Sequence, residues 1–110
     1  MTNTPYKELE LTAGGGTYSL SLSENVKLYL ITGSARLSSN WTIDTDTSDP
    51  DVQPFAGLSC VFINNSTTDV NGNTVTLFGT DVSYIIDSKF KAECLYDGAA
   101  WIVNIYQADL

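Results

Sequence analysis

The chain contains no histidine and only five basic residues among its 110. It therefore lacks the commonest general base and the commonest transition-metal ligand of proteins. This excludes histidine-dependent serine triads and the usual catalytic zinc sites. Thirteen acidic residues set the formal charge at -8, so nucleic-acid backbones and anionic membranes would repel the chain. We predict a protein that is not an enzyme, needs no cofactor, and binds neither nucleic acid nor membranes.

Long hydrophobic runs and charged residues are also scarce. No apolar run approaches the ~20 residues that a helix needs to cross a bilayer. The first residues, MTNTPYKELE, show neither the basic nor the apolar region of a signal peptide, so we expect no export by that route. Only 16% of residues are charged, against about 25% in typical soluble domains. The surface must therefore consist largely of uncharged polar side chains, which suits close contacts between subunits.

Apolar and polar residues alternate along most of the chain, and this period of two is typical of strands with one buried face. No window shows a convincing helical repeat, and the spacing of the runs predicts about nine short strands. We therefore expect an all-β fold, an antiparallel β-sandwich or jelly-roll-like domain, over residues 9–110, with an N-terminal arm at 1–8. The first apolar faces predicted are Leu9 and Leu11, then Tyr18, Leu20 and Leu22, then Val26, Leu28 and Leu30.

Turn residues separate these runs, with GGG at 14–16, NGN at 71–73 and Asp97-Gly98 near the end. Tyr96 and Trp101 flank the connection DGAA, so a hairpin there makes them cross-strand neighbours. The alternative is an aromatic platform for a ligand, which would be expected to bring more aromatic and polar groups to one face. We therefore predict a structural role for this pair.

The two cysteines, Cys60 and Cys94, each lie inside an apolar run. Two interpretations stay open at this point. Each can be a small buried hydrophobic residue, or the two can form a cross-strand disulfide. The absence of a recognisable export signal favours the first.

One segment breaks the alternation: DTDTSDPDVQPF, residues 44–55, which we predict to be a long surface loop. Its candidate ligands for calcium are Asp44, Asp46, Asp49 and Asp51. The spacing fails the EF-hand pattern, so a solvated acidic loop is favoured over a calcium site.

Three aromatic residues are candidates for contacts with a partner or another subunit: Tyr6, Trp41 and Phe55. Trp41 and Phe55 flank the acidic loop, and aromatic side chains are enriched where proteins bind one another. Packing in the core beneath the loop is the alternative for these two residues. Tyr6 lies in the predicted arm, which can extend onto a neighbouring subunit or simply fray.

Two stretches carry a resemblance to a known class of protein. The run GLSCVFINNSTTDVNGNTVTLFGTDV, followed by KFKAECLYDGAAWIV, resembles a recurrent β-module of tailed-bacteriophage virion proteins. The matching positions are Gly57, Gly79, Asp97, Gly98 and Trp101, and LTAGGGTYSLSLSENVKLYLITGSARLSSN looks like the opening strands of such modules. The likeness covers most of residues 9–106.

The resemblance implies a non-enzymatic virion structural protein, assembled in the host cytoplasm and commonly a homotrimer. The short chain and the absence of a shaft imply a capsid decoration or head-fibre protein that binds and stabilises the capsid surface. Its partners would be further copies of itself and the major capsid protein or other virion proteins. Two alternatives remain: a tail-fibre or host-surface module that binds a glycan, and a stand-alone carbohydrate-binding sandwich.

Overall fold

A computed structural model describes residues 6–21, 26–45, 55–78 and 84–108. Within these ranges the chain is nearly all β, with no α-helix, and has eight strands in two sheets. The strands are β1 (Tyr6–Glu10), β2 (Gly16–Leu20), β3 (Leu28–Thr32), β4 (Trp41–Thr45), β5 (Ser59–Asn64), β6 (Val75–Leu77), β7 (Phe90–Tyr96) and β8 (Trp101–Gln107). The prediction of an all-β fold is confirmed.

Successive strands alternate between the two sheets, so the chain winds as a solenoid. The five-stranded sheet has the order β1-β3-β5-β7-β8 and the three-stranded sheet the order β2-β4-β6. The pairs β1–β2, β3–β4 and β5–β6 are therefore three coils stacked in parallel, with Tyr6 beside Leu28 and Leu28 beside Val61. The hairpin of β7 and β8 continues the larger sheet in antiparallel pairing.

The predicted antiparallel sandwich or jelly roll is not confirmed, because four of the six strand pairings are parallel. A period of two reports burial of one face and carries no information on strand direction. Direction depends on the connections, and here each coil crosses to the other sheet before the chain returns. About nine strands were predicted, and the described residues form eight. The missing one is VSYIID, whose described part contributes only an isolated bridge between Thr76 and Ile85.

The interior between the sheets is filled by stacked side chains from successive coils. Tyr29 and Phe62 are register partners on β3 and β5, and their rings stack with centroids 4.9 Å apart. Phe78 meets the Phe62 ring edge-on at 5.8 Å and stacks on Trp101 at 4.3 Å. This aromatic column joins the coils to the hairpin. The remaining buried apolar residues are Leu9, Leu11, Leu20, Ile31, Leu37, Trp41, Ile43, Val75, Leu77, Ile86, Ala92 and Cys94.

The first strand begins three residues before the domain that the sequence predicts, which starts at residue 9. β1 begins at Tyr6, inside the arm predicted for residues 1–8, and residues 1–5 lie outside the described residues. Tyr6, Lys7 and Glu8 are thus paired in the first strand of the larger sheet. Across the ranges that the structure describes, no helix has the length and apolar character to span a membrane.

The turn between β1 and β2 requires glycine at one position. Gly15 has φ +69°, and a Cβ there would lie 2.6 Å from Asn40 O and 2.8 Å from Ser39 Cβ. Neighbouring Gly14 has nothing within 4 Å of such an atom. Within the GGG sequence, it is therefore Gly15 whose missing side chain lets the turn approach the next coil closely.

Gly15→Ala is expected to destabilise the protein by at least about 2 kcal/mol, because it adds left-handed backbone strain to a clash with backbone. Gly14→Ala is the matched control and should change the free energy of unfolding by less than about 0.5 kcal/mol. Urea unfolding of both variants at one protein concentration measures the difference. Equal effects would show that the two turns do not stack as described.

Candidate functional site

The three predicted contact residues lie in different environments. Tyr6 and Phe55 are 56% and 62% exposed, so both rings are accessible to solvent. Trp41 is buried, stacks on Tyr18 at 4.9 Å, and donates its indole N–H to Thr12 O at 3.0 Å. The structure thus gives Trp41 the core-packing role that the sequence left as its alternative.

Most of the acidic loop, residues 46–54, lies outside the described residues, and with it three of the four candidate calcium ligands, Asp46, Asp49 and Asp51. Asp44 is described and accepts a hydrogen bond from the backbone N–H of Thr45 at 2.8 Å. Among the side chains that the structure describes, no group of three or more Cys, Asp or Glu is placed to hold a metal ion. The prediction of a solvated acidic loop, with calcium as its alternative, therefore stays a prediction.

The hairpin predicted from DGAA is confirmed. Tyr96 and Trp101 are register partners on β7 and β8, and their rings meet edge-on at 5.3 Å. The Asp97 carboxylate accepts hydrogen bonds from the N–H groups of Ala99 and Ala100, each at 2.8 Å. The bonds from Ala100 and Ala99 hold the pKa of Asp97 below its usual value. Both aromatic rings are engaged in packing, so the pair forms part of the fold.

The most distinctive surface is the side of the five-stranded sheet that faces away from the interior, here called the outer face. Its side chains lie in rows across the strands, because register partners on neighbouring strands point to the same side of the sheet whether the strands are parallel or antiparallel. One row consists of Tyr6, Leu28, Val61, Glu93 and Asn104, and the next of Glu8, Leu30, Ile63, Lys91 and Tyr106. A shorter third row consists of Ser59, Leu95 and Ile102.

The centre of the outer face is apolar. Leu28, Leu30, Val61 and Ile63 form a block of four branched side chains, each only partly buried in the single chain. Leu95 and Ile102 extend it and are 44% and 54% exposed. With strands about 4.8 Å apart and about 3.3 Å of rise per residue, the face measures roughly 20 Å by 17 Å. Soluble monomers rarely expose contiguous apolar patches larger than a few hundred Å², and the largest patch on a monomer is often functional.

The prediction for β3 assigned its two faces the wrong way round. Leu28 and Leu30 were expected in the core, but Tyr29 and Ile31 point inward instead. Both sets are apolar in KLYLIT, so alternation alone could not choose between them. The apolar character of both sets was the signal that β3 would carry apolar side chains on its outward side as well.

Charged groups border the apolar block asymmetrically. Glu8 and Glu10 lie on β1 at one side of the face, whereas Lys91 lies on β7 towards the other, with its Nζ 5.9 Å from the centroid of the Tyr106 ring. The Tyr106 hydroxyl donates a hydrogen bond to the Glu93 carboxylate. This bond to Glu93 raises the pKa of Tyr106, so the hydroxyl stays protonated through neutral pH.

A cleft of about 460 Å³ indents the outer face along β5, β7 and β8. Its walls combine apolar Val61, Leu95 and Ile102 with Lys27 and Glu93. A protruding apolar side chain with a polar end would fit these walls.

Comparison with protein-family models, with curated proteins and with solved structures finds no match to this chain. The features that bear on its function are therefore the geometry of the outer face and the resemblance in sequence. A fold by itself does not specify a function.

Proposed function

We propose that the protein is a non-enzymatic structural protein of a bacteriophage virion, a homotrimer that decorates and stabilises the capsid surface. It acts by binding alone. Copies associate through the outer face of the five-stranded sheet, and the assembled trimer contacts the capsid through other surfaces. Many weak contacts, repeated by symmetry over the shell, add to a stabilisation that a single contact cannot supply.

The observation that carries the proposal is the apolar block at the centre of the outer face. Leu28, Leu30, Val61 and Ile63 cost free energy while they face water, and covering them with another apolar surface gains about 25 cal/mol per Å². The polar and charged residues around the block would form the rim of an interface. This arrangement of an apolar centre and a polar border is typical of surfaces that associate.

The charge of the outer face supports a second copy of the chain as the occupant. A formal charge of -8 makes two copies repel one another over most of their surface. The outer face is close to neutral, because Lys27 and Lys91 oppose Glu8, Glu10 and Glu93. It is therefore a surface where copies can approach without a large electrostatic cost.

The distribution of these charges favours a ring over a two-fold dimer. In a cyclic trimer whose three outer faces turn towards the three-fold axis, the apolar blocks meet near the axis and the β1 side of one copy meets the β8 side of the next, which is a head-to-tail contact. Glu8 and Lys91 lie towards opposite ends of the same row, so that contact places opposite charges together. The neighbouring row likewise brings the exposed Tyr6 of one copy towards Glu93 of the next.

Leu30→Lys tests the role of the outer face in association. The new ammonium lies beside Glu8 in the folded chain, so the monomer should tolerate it. In the trimer it would replace an apolar contact with a charge that must leave water, and it would compete with Lys91 of the next copy for Glu8. We expect self-association at least tenfold weaker than in the wild type. Ser19→Lys is the matched control, because it adds the same charge at an exposed position on the three-stranded sheet.

Light scattering after size-exclusion chromatography measures the mass of each variant. Circular dichroism confirms that both variants fold. If Leu30→Lys associates as strongly as Ser19→Lys, the outer face is not the contact between copies.

The place of the protein in the virion is tested by its stoichiometry. Mass spectrometry with labelled peptides can count this chain against the major capsid protein in purified particles. A count of the same order as the capsid protein supports decoration. A count of only a few copies per particle would contradict decoration and indicate the tail-fibre or host-binding alternative.

A further inference from the structure

Cys60 and Cys94 lie directly opposite one another on β5 and β7. Both side chains point to the inner side of the sheet, and both thiols are free. The pair lies where two parts of the fold meet, because β5 belongs to the third coil and β7 to the antiparallel hairpin. The position of this pair thus fits both interpretations that the sequence left open, two small buried residues and a cross-strand disulfide.

The hydrogen-bond pattern fixes the spacing of the two backbones. Tyr96 donates its N–H to Leu58 O at 2.8 Å, and Val61 donates its N–H away from β7, to Lys27 O at 2.9 Å. Bonded and non-bonded pairs alternate along an antiparallel ladder, so Cys60 and Cys94 form a hydrogen-bonded pair. Such pairs have Cα atoms about 5.5 Å apart, which lies within the range of about 4.4–6.8 Å found in disulfides. Their Cβ atoms are roughly 5.5 Å apart, so closure must draw the two strands together until the Cβ atoms are about 4 Å apart.

The two thiols differ in reactivity. Cys60 is only partly buried, whereas Cys94 is 3% exposed. A hydrogen bond from Cys94 lowers the pKa of Cys60, with help from the positive charge of Lys27 and against the effect of burial. The same interaction and burial raise the pKa of Cys94. Cys60 is therefore the thiol that reacts first with a reagent from solution.

We propose that Cys60 and Cys94 are a latent disulfide, reduced while the chain is made and closed when the folded protein meets an oxidising medium. This inference rests on the proposed function in one respect: a virion protein is assembled in a reducing cytoplasm and then released from it. Virion surfaces are among the places where disulfides persist, and the cytosol is not.

The chemistry needs an oxidant of the small-molecule disulfide class, such as oxidised glutathione. The Cys60 thiolate attacks one sulfur of that disulfide, forms a mixed disulfide and releases one thiolate. Cys94 then loses its proton and attacks the Cys60 sulfur, which closes the protein bridge and releases the second thiol. Two protein thiols are oxidised and one small disulfide is reduced to two thiols.

Closure would fasten the hairpin to the third coil. The bridge encloses 35 residues counting both cysteines (94 − 60 + 1), which include β6 and the segment leading to β7. A loop of that length removes substantial entropy from the unfolded chain, so we expect Tm to rise by at least about 10 °C.

The test incubates the purified protein in glutathione buffers, one as reducing as the cytosol and one dominated by oxidised glutathione. In the oxidising buffer we expect an intact mass lower by two hydrogens, a peptide that links Cys60 to Cys94, and the higher Tm. In the reducing buffer we expect two free thiols. Free thiols or only glutathione adducts after prolonged oxidation would overturn the proposal, and so would a bridge already closed in the reducing buffer.

Cys60→Ser and Cys94→Ala are the controls. Cys94→Ala should retain a glutathione adduct on Cys60 and gain no stability in the oxidising buffer, whereas Cys60→Ser should stay nearly unmodified. Light scattering on the same samples reports the oligomeric state independently. A monomer that still closes its bridge would contradict the proposed function and support the latent disulfide. A trimer that never closes the bridge would support the proposed function and contradict the latent disulfide.

Discussion

Phe62→Ala is expected to lower the free energy of unfolding by about 3–5 kcal/mol, because it removes the ring at the centre of the interior. Phe62 is fully buried, stacks on Tyr29, and meets the edge of Phe78. Tyr29 is held in β3, and Phe78 directly follows β6 and stacks on Trp101, so these rings cannot easily close the cavity. Domains of this size are stable by only about 5–15 kcal/mol, so the variant would be near its limit of folding.

Ile102→Ala is the control for Phe62→Ala. Ile102 is 54% exposed on the end strand of the same sheet, so its truncation should cost the single chain less than about 1 kcal/mol. Both variants should be unfolded in urea at one low protein concentration, because association would add to apparent stability. A loss below about 1 kcal/mol for Phe62→Ala would show that the aromatic column is not packed as described.

Asn64→Ala is expected to cost about 2–5 kcal/mol, because it leaves buried backbone groups without hydrogen-bond partners. The Asn64 side chain donates to Ile86 O at 3.0 Å and accepts from Ser66 N at 3.1 Å and from Ser66 Oγ at 2.6 Å. All three residues are buried. Asn64 thus ties the end of β5 to the segment that leads into β7, and its backbone O accepts a further bond from Lys89 N at 2.7 Å.

Asn65→Ala provides a comparison at the next position in the chain. Asn65 is exposed, and its side chain contacts only the Lys89 ammonium at 2.9 Å among the hydrogen bonds described for it. We expect a change within about 0.5 kcal/mol. Hydrogen exchange would extend the test, because Asn64→Ala should accelerate exchange at Ile86 and Lys89 more than in the first coil. Similar losses for the two variants would argue against the buried network.

The local features of the fold could be predicted from the sequence, whereas its connectivity could not. The Asp97-Gly98 hairpin and the buried face of β7 follow from turn chemistry and alternation over a few residues. The stacking of coils depends on which strands meet after 22 residues or more, as between Tyr6 and Leu28 (28 − 6 = 22). Neither propensity nor period of two carries that information, which explains the expectation of antiparallel pairing.

The apolar block of the outer face was not predicted from the sequence, for a related reason. Aromatic residues were singled out, and this led to Trp41, which the structure places in the core. The apolar block was missed because Leu28 and Leu30 resemble core residues when only one face of a strand is expected to be buried. Their neighbours on the outer face come from other coils, so the block becomes visible only once the parallel register is known.

The absolute mass of the wild-type protein tests the central claim most directly. Size-exclusion chromatography with light scattering should be run at two concentrations an order of magnitude apart, under reducing conditions that keep both thiols free. If the protein is a homotrimer, the mass will be that of three 11.9 kDa chains at both concentrations. A mass of one chain at both would contradict it, because the apolar outer face would then remain uncovered in solution.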